Sequence, residues 1–174
     1  IVGIVNFKKD IKNKENLISK MFNSIENRGP DESGMYLTNN VNLGHRRLSI
    51  LDIENGKQPM SCKINENTYT IVYNGQIYNC NELRKILIKN GFEFIGHSDT
   101  EVLLKAYIKF GKDVLKYLNG IFAFAIWNEK EKELFLARDH FGIKPLYYTI
   151  RNDNFIFASE IKAILKHPEV KAQI

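Results

Sequence analysis

The chain has 174 residues but only two cysteines, Cys62 and Cys80, and one tryptophan. Two thiols so spaced exclude a disulfide framework and offer no metal-ligand pattern. The four histidines, His45, His97, His140 and His167, share no metal spacing either. No apolar run is long enough to span a bilayer. The opening Ile1-Val2-Gly3-Ile4-Val5 is too short for a secretory signal, and charge follows at once. There is no glycine loop built to cradle phosphate, and no Ser or Cys in a nucleophile-elbow setting. Internal repeats and low-complexity stretches are lacking too. These absences point to a cytoplasmic chain of one domain, large enough to bury a core without staples.

The net charge of +5 invites a nucleic-acid reading. The distribution argues against it. Lys8, Lys9, Lys12, Lys14, Lys85, Lys89, Lys130 and Lys132 are scattered among acids, as on solvated faces, and no basic stripe carries interleaved aromatics. Neither nucleic acid nor membrane is expected as a partner.

Periodicity predicts a strand over residues 2–7 and then a helix over about 14–26, with Leu17, Ile18, Met21, Phe22 and Ile25 on one stripe. Gly29-Pro30 stops it. Strands follow over 33–37 and 41–48, joined by Asn39-Asn40. Residues 52–61 read as a loop, and 69–74 as a strand apolar on both faces. Asn79 and Glu82 look like a capping box for a helix ending near Lys89 and closed by Gly91. Ser98 and Glu101 look like a second box, opening a helix to Phe110, and a short helix over 112–118 follows. In the strand over 120–127, Ala123 and Ala125 take one face and Phe122, Phe124 and Ile126 the other. Three more strands, over 134–138, 146–150 and 155–159, precede a helical tail over 160–165. Without regular strand–helix alternation, the pattern describes an α+β layered domain.

Four places carry chemistry. Tyr73-Asn74-Gly75-Gln76 follows a buried strand. Its Gly amide and Asn side chain could together hold an oxyanion, although Asn-Gly is more often simply a tight turn. Arg46 and Arg47 point to opposite faces of their strand, so one can line a cleft and hold a carboxylate. An internal ion pair, with Asp52 as a candidate, explains a buried arginine equally well. Asp99 at a helix start can satisfy the helix dipole, its commoner use, or grip an ammonium group. Cys80, in a first helical turn, is the more reactive thiol by position, but no base neighbours it.

Eight motifs then stand in one order: Arg28-Gly29-Pro30-Asp31, Gly44-His45-Arg46-Arg47-Leu48-Ser49-Ile50, Gln58-Pro59-Met60, Tyr73-Asn74-Gly75-Gln76-Ile77-Tyr78-Asn79, Ser98-Asp99-Thr100-Glu101-Val102, the stretch from Leu118 to Trp127, Ala137-Arg138-Asp139, and Gly142-Ile143-Lys144-Pro145-Leu146-Tyr147-Tyr148. The chain thereby resembles, over nearly its whole length, the N-terminal glutaminase domain of glutamine-dependent asparagine synthetases, a class II glutamine amidotransferase. The resemblance implies an N-terminal-nucleophile hydrolase fold, a four-layer αββα sandwich of two facing antiparallel sheets, filling residues 1–174 as a single domain. It implies L-glutamine as substrate, with hydrolysis to glutamate and ammonia. It gives Arg47 the α-carboxylate and Asp99 the α-ammonium, makes Asn74 and Gly75 the oxyanion hole, and lines the pocket with Leu48, Ser49, Ile50, Leu51 and Gln76. No cofactor or metal is implied for this domain. ATP and magnesium belong to the synthetase domain that follows it in the family, whose Ser-Gly-Gly loop is missing here. That domain is the implied partner, and a homodimer is possible.

Two departures bear on activity. The family opens Met-Cys-Gly-Ile-Val, so Val2 stands where the nucleophilic cysteine belongs. Valine has no nucleophilic atom, and Ile1 displaces the α-amine that serves as base. No neighbouring Ser or Thr substitutes. Gln76 stands where many members have Glu, which keeps a hydrogen bond and removes a charge. The chain as written is therefore expected to be inactive as a glutaminase; the β-lactam synthetases, which resemble this family, also lack the cysteine and give a natural precedent for such a domain. The alternative is a non-catalytic scaffold that packs on a synthetase domain.

Overall fold

The computed structural model describes residues 1–12, 15–48 and 56–172. Ser49, Ile50, Leu51 and Asp52, named above, lie outside them. The chain separates into two compact units, Ile1–Ser49 with Pro145–Ile174, and Ile50–Lys144.

The first unit is a five-stranded antiparallel sheet in the order β2-β3-β1-β9-β8. Its strands are β1 (Val2–Asn6), β2 (Glu32–Leu37), β3 (Val41–Arg47), β8 (Tyr147–Arg151) and β9 (Asn154–Ala158). The amphipathic stripe forms α1 (Glu15–Asn23), and its buried residues Ile18, Met21 and Phe22 pack with Val2, Ile4, Ile156, Ala158 and the short α4 (Ile161–Ile164). Helix α1 stops short of the predicted end, and a separate 3-10 turn covers Glu26–Arg28. Gly29 then passes against the backbone of Arg46 and Arg47, where a Cβ would collide. That close approach explains the glycine in the Arg28-Gly29-Pro30-Asp31 motif.

The second unit is a four-stranded antiparallel sheet, β4-β5-β6-β7. It contains β4 (Met60–Ile64), β5 (Asn67–Ile77), β6 (Gly120–Asn128) and β7 (Glu133–Arg138), with α2 (Cys80–Lys89), α3 (Asp99–Phe110) and a 3-10 turn over Gly111–Lys116. Phe122, Phe124 and Ile126 meet Ile71, Tyr73, Leu83, Leu87, Val102 and Leu103 in one core, as the alternation in β6 predicts. Ala123, Ala125 and Val72, on the opposite face, are buried too. No helix is long and apolar enough to cross a membrane, among the described residues.

Four expectations change. Residues 60–64 form strand β4, where a loop was expected to run to Ser61 and no strand was predicted. Asn65 and Glu66 join β4 to β5 as a two-residue turn with φ of 47° and 63°, and neither residue is the glycine that usually marks such a turn. Asn79 does not cap α2: its side chain donates to the Tyr117 carbonyl at 2.8 Å and accepts from the Asn119 amide at 3.0 Å, tying the end of β5 to the start of β6. The predicted helix over 112–118 is the 3-10 turn. At α3, by contrast, Ser98 Oγ accepts from the Glu101 amide as a cap should. Glu101 does not complete the box. Its carboxylate accepts from the Ile95 and Gly96 amides at 3.0 and 2.9 Å and pairs with Lys105 at 2.5 Å.

Beyond β7, Asp139 organises the loop to Lys144. Its carboxylate accepts four backbone amides, from Phe122 (3.2 Å), Phe141 (3.2 Å), Ile143 (2.9 Å) and Lys144 (3.0 Å). Burial alone would raise its pKa, but the amides outweigh burial and hold the carboxyl below its ordinary value. A depressed folded pKa stabilises the fold above the unfolded value of about 3.9, and that contribution is lost as pH falls through the folded value. Replacing Asp139 by Asn is expected to cost roughly 1.5–3 kcal/mol at pH 7, where charged hydrogen bonds are lost. Urea midpoints of the two proteins should converge below about pH 4. In the core, Phe124 is fully buried between Phe122 and Phe135, with ring centroids at 5.6 and 5.9 Å. Phe124→Ala should lower unfolding stability by about 3–5 kcal/mol, read from the same urea curves.

Candidate functional site

The residues singled out in the sequence fall into two groups, one in each unit. Val2, Arg47 and Leu48 belong to the first. Val2 is fully buried, pairs with Gly44 on one side and Ala158 on the other, and packs in the core beneath α1. Its Cγ2 lies so near Gly44 that a Cβ there would come within 2.9 Å. Arg47 and Glu32 are cross-strand partners, and Arg47 Nη1 meets Glu32 Oε2 at 2.6 Å with the arginine 7% exposed. The ion-pair reading thus has a partner, and it is Glu32; Asp52 lies outside the described residues. Arg46 takes the opposite face, as alternation requires. Its guanidinium lies 4.0 Å from the Phe22 ring centroid and within 3.1 Å of Asn23 Oδ1. Leu48, just past β3, is exposed.

The second group centres on β5. Asn74 and Gly75 do not form the turn that their dipeptide suggests. They lie inside the strand, opposite Ala123 and Phe122, and the ladder runs on to Ile77 opposite Gly120. The strand extends because its partner comes unusually close. A Cβ on Gly75 would run into the Ile121 carbonyl, and one on Gly120 into that of Gln76. The register also fixes where amides point. In an antiparallel pair the backbone groups alternate between facing the partner and facing away. The Tyr73 amide donates to Gln58 Oε1 at 2.6 Å, and the Ile77 amide donates to Asp99 Oδ2 at 3.1 Å. Both therefore face away from β6, and Gly75, midway between them, does the same. Pairing with β4 ends at Ile71 opposite Met60, so beyond that point β5 presents an edge. Gln58 covers the first step of this edge. Its amide nitrogen donates to the Tyr73 carbonyl at 3.1 Å, so one side chain replaces a strand partner for both backbone groups of Tyr73.

Asp99, at the start of α3, closes the far end of this edge. Its Oδ2 accepts from the Tyr73 hydroxyl at 2.7 Å as well as from the Ile77 amide. The Tyr73 phenol is driven far above its ordinary pKa, first by burial and then by the Asp99 charge, so it remains a donor. The result is a half-buried carboxylate with one oxygen anchored twice, beside the outward Gly75 amide. The Asn74 side chain stands on the sheet face shared with Val72. Gln76 is exposed. The reactivity expected of Cys80 is reversed. Burial, with the charge of Asp99 adding and that of Arg84 opposing, pushes its thiol up to about 11.

Sequence reading did not single out Gln58, Tyr73 or the Ile77 amide. Tyr73 was counted as core, and Gln58 only as part of a motif. Their partners are 15 and 26 residues away, so no local pattern shows them.

This arrangement can be set beside known proteins. A model of the glutamine amidotransferase domain matches residues 1–174. The chain is 48% identical over 174 residues to asparagine synthetase [glutamine-hydrolyzing] 3 of Bacillus subtilis, covering all of this chain and 28% of that protein. It is 49% identical over 152 residues to asparagine synthetase [glutamine-hydrolyzing] 1 of the same organism, covering 87% of this chain and 24% of that one. A putative asparagine synthetase of Methanocaldococcus jannaschii is 41% identical, covering 98% of this chain and 35% of its own length. The chain thus spans about a quarter to a third of these relatives. Among solved structures, the glutamine phosphoribosylpyrophosphate amidotransferase of Bacillus subtilis superposes with a TM-score of 0.77 at 24% identity, over 94% of this chain and 42% of that one. That likeness bears on fold alone, an α+β arrangement of antiparallel sheets with helices. The chain belongs to the glutamine amidotransferase domain family, and it resembles that domain as it stands in glutamine-hydrolysing asparagine synthetases.

Proposed function

We propose that this chain is the glutamine-binding domain of an asparagine-synthetase-type protein, and that it binds L-glutamine without hydrolysing it. The observation that carries this reading is the edge of β5, where the outward Gly75 amide stands beside an Asp99 carboxylate already oriented by Tyr73 and Ile77. Asp99 takes the α-ammonium. The Gly75 amide and the Asn74 side chain take the amide oxygen, as two donors hold a developing oxyanion. For the other residues only the resemblance speaks: it gives Arg47 and Leu48 the carboxylate end and Gln76 a part in holding the ammonium. Thiolate attack has no atom to start from, because Val2 holds the nucleophile position with a hydrocarbon side chain buried beneath α1. Such a domain precedes an ATP- and magnesium-using synthetase part in one cytoplasmic protein and needs no cofactor of its own.

A second reading, a scaffold that no longer takes glutamine, draws on a specific feature. Arg47 already holds a carboxylate, that of Glu32 at 2.6 Å, where a ligand's would be expected. Titration calorimetry separates the two. Heat of binding at millimolar L-glutamine with no ammonia released supports the first, and no heat supports the second. If the first holds, Asp99→Asn keeps an acceptor for Tyr73 and Ile77 but removes the charge. It should weaken glutamine about 10- to 100-fold, the usual worth of a charged hydrogen bond. A further change, Val2→Cys with Ile1 removed, places a thiol and an α-amine on one residue. It should release ammonia from glutamine above the background of the unaltered chain; silence would show that the site residues are misassigned.

A further inference from the structure

We infer that Tyr73 is a positioning residue for the ammonium end of the ligand: its hydroxyl holds Asp99 Oδ2 so that Oδ1 is the oxygen offered to the amino group. This rests on the glutamine reading above and extends it to a side chain that the motifs do not assign. Asp99 hangs from the first turn of α3 on two rotatable bonds, and without partners its carboxylate would sample several rotamers. Two donors from β5 remove that freedom. The Tyr73 hydroxyl, on a residue only 2% exposed, reaches Oδ2 at 2.7 Å, and the Ile77 amide reaches the same atom at 3.1 Å. Both come from residues two places from Gly75, one on each side, so the strand that presents the outward amide also aims the carboxylate. Gln58 holds the Tyr73 backbone at both its amide and its carbonyl, which fixes the ring's origin. A side chain oriented in advance loses less entropy on binding.

The test compares two ligands on the full chain: L-glutamine and its analogue lacking the α-amino group, 4-carbamoylbutanoate. Tyr73→Phe keeps the ring and removes the hydroxyl. The expected result is about a tenfold loss of affinity for L-glutamine, the worth of one hydrogen bond to a charged group, with affinity for the des-amino analogue unchanged. Equal loss for both ligands, or none for either, overturns the positioning role, since a structural lesion does not single out the ammonium. No binding of L-glutamine by the unaltered chain overturns both this inference and the reading beneath it. If binding persists and only the ligand discrimination fails, the reading survives and Tyr73 alone is misassigned. Should the Phe variant fail to fold, hydrogen exchange on the unaltered chain decides. L-glutamine should slow exchange of the Ile77 amide more than the des-amino analogue at equal saturation, because that amide shares Asp99 with Tyr73. Equal protection by both ligands overturns the inference.

Discussion

One carboxylate ties the second unit together at its chemically important end. Asp99 Oδ2 accepts from the Tyr73 hydroxyl and the Ile77 amide, so the start of α3 is bonded to the last residues of strand β5. That carboxylate thus meets a phenolic donor and a backbone donor at the first turn of a helix. The helix start is itself secured by Ser98 Oγ on the Glu101 amide. Because Tyr73 and Ile77 lie on either side of Gly75, the same bonds hold the glycine's backbone in line while its amide faces out of the sheet. The orientation of the Asp99 carboxylate is a by-product of how a helix is fastened to a strand.

That fastening depends on a close approach of β5 and β6. Gly75 and Gly120 sit where a Cβ would strike the neighbouring strand's carbonyl. A side chain at either position would force the two backbones to shift, next to where the Ile77 amide meets Asp99. The glycine therefore serves strand packing first. The outward direction of its amide follows from the ladder's alternation, which leaves every second amide pointing away from β6. Asn74, one residue earlier, has its backbone turned to β6 and its side chain on the sheet face, so the two donors of the pair are of different kinds, one side chain and one main chain.

Much of this was legible in the chain's pattern, and the remainder failed for identifiable reasons. Long elements with a clear period were read correctly: α1 from Ile18, Met21 and Phe22, and β6 from Phe122, Phe124 and Ile126. Strand β4 was missed because it is short, lies at the sheet edge behind Pro59, and turns through Asn65-Glu66 without a glycine. Asn74-Gly75 looked like a turn because local propensity favours one, and the long partner strand overrode it. Asp99 and Arg47 were legible as chemical types. Their partners were not, since Glu32 and Tyr73 meet them only through a sheet register and a helix docking. Cys80 shows the same limit: position in a helix predicted a reactive thiol, and burial with a neighbouring carboxylate produced the opposite.

Three polar side chains of the second unit, Gln58, Asp99 and Asp139, find partners within the protein itself, and this bears on what their presence means. Gln58 fills the β5 edge with its own amide, Asp99 is anchored by Tyr73 and Ile77, and Asp139 is ringed by four amides. Each would be costly to remove for reasons of folding alone, because a buried donor or acceptor left unpaired is penalised whether or not a ligand ever arrives. Such residues therefore persist equally in a working glutaminase and in a domain that has stopped hydrolysing. Position 2 is different. Its slot lies between Gly44 and Ala158 and under α1, and packing there asks only for a small apolar side chain. Cysteine and valine both meet that demand, since a buried thiol behaves as a small hydrophobe. The fold thus constrains the side chain at position 2 mainly by size and apolarity, and constrains Gln58, Asp99 and Asp139 through the specific donors and acceptors they meet.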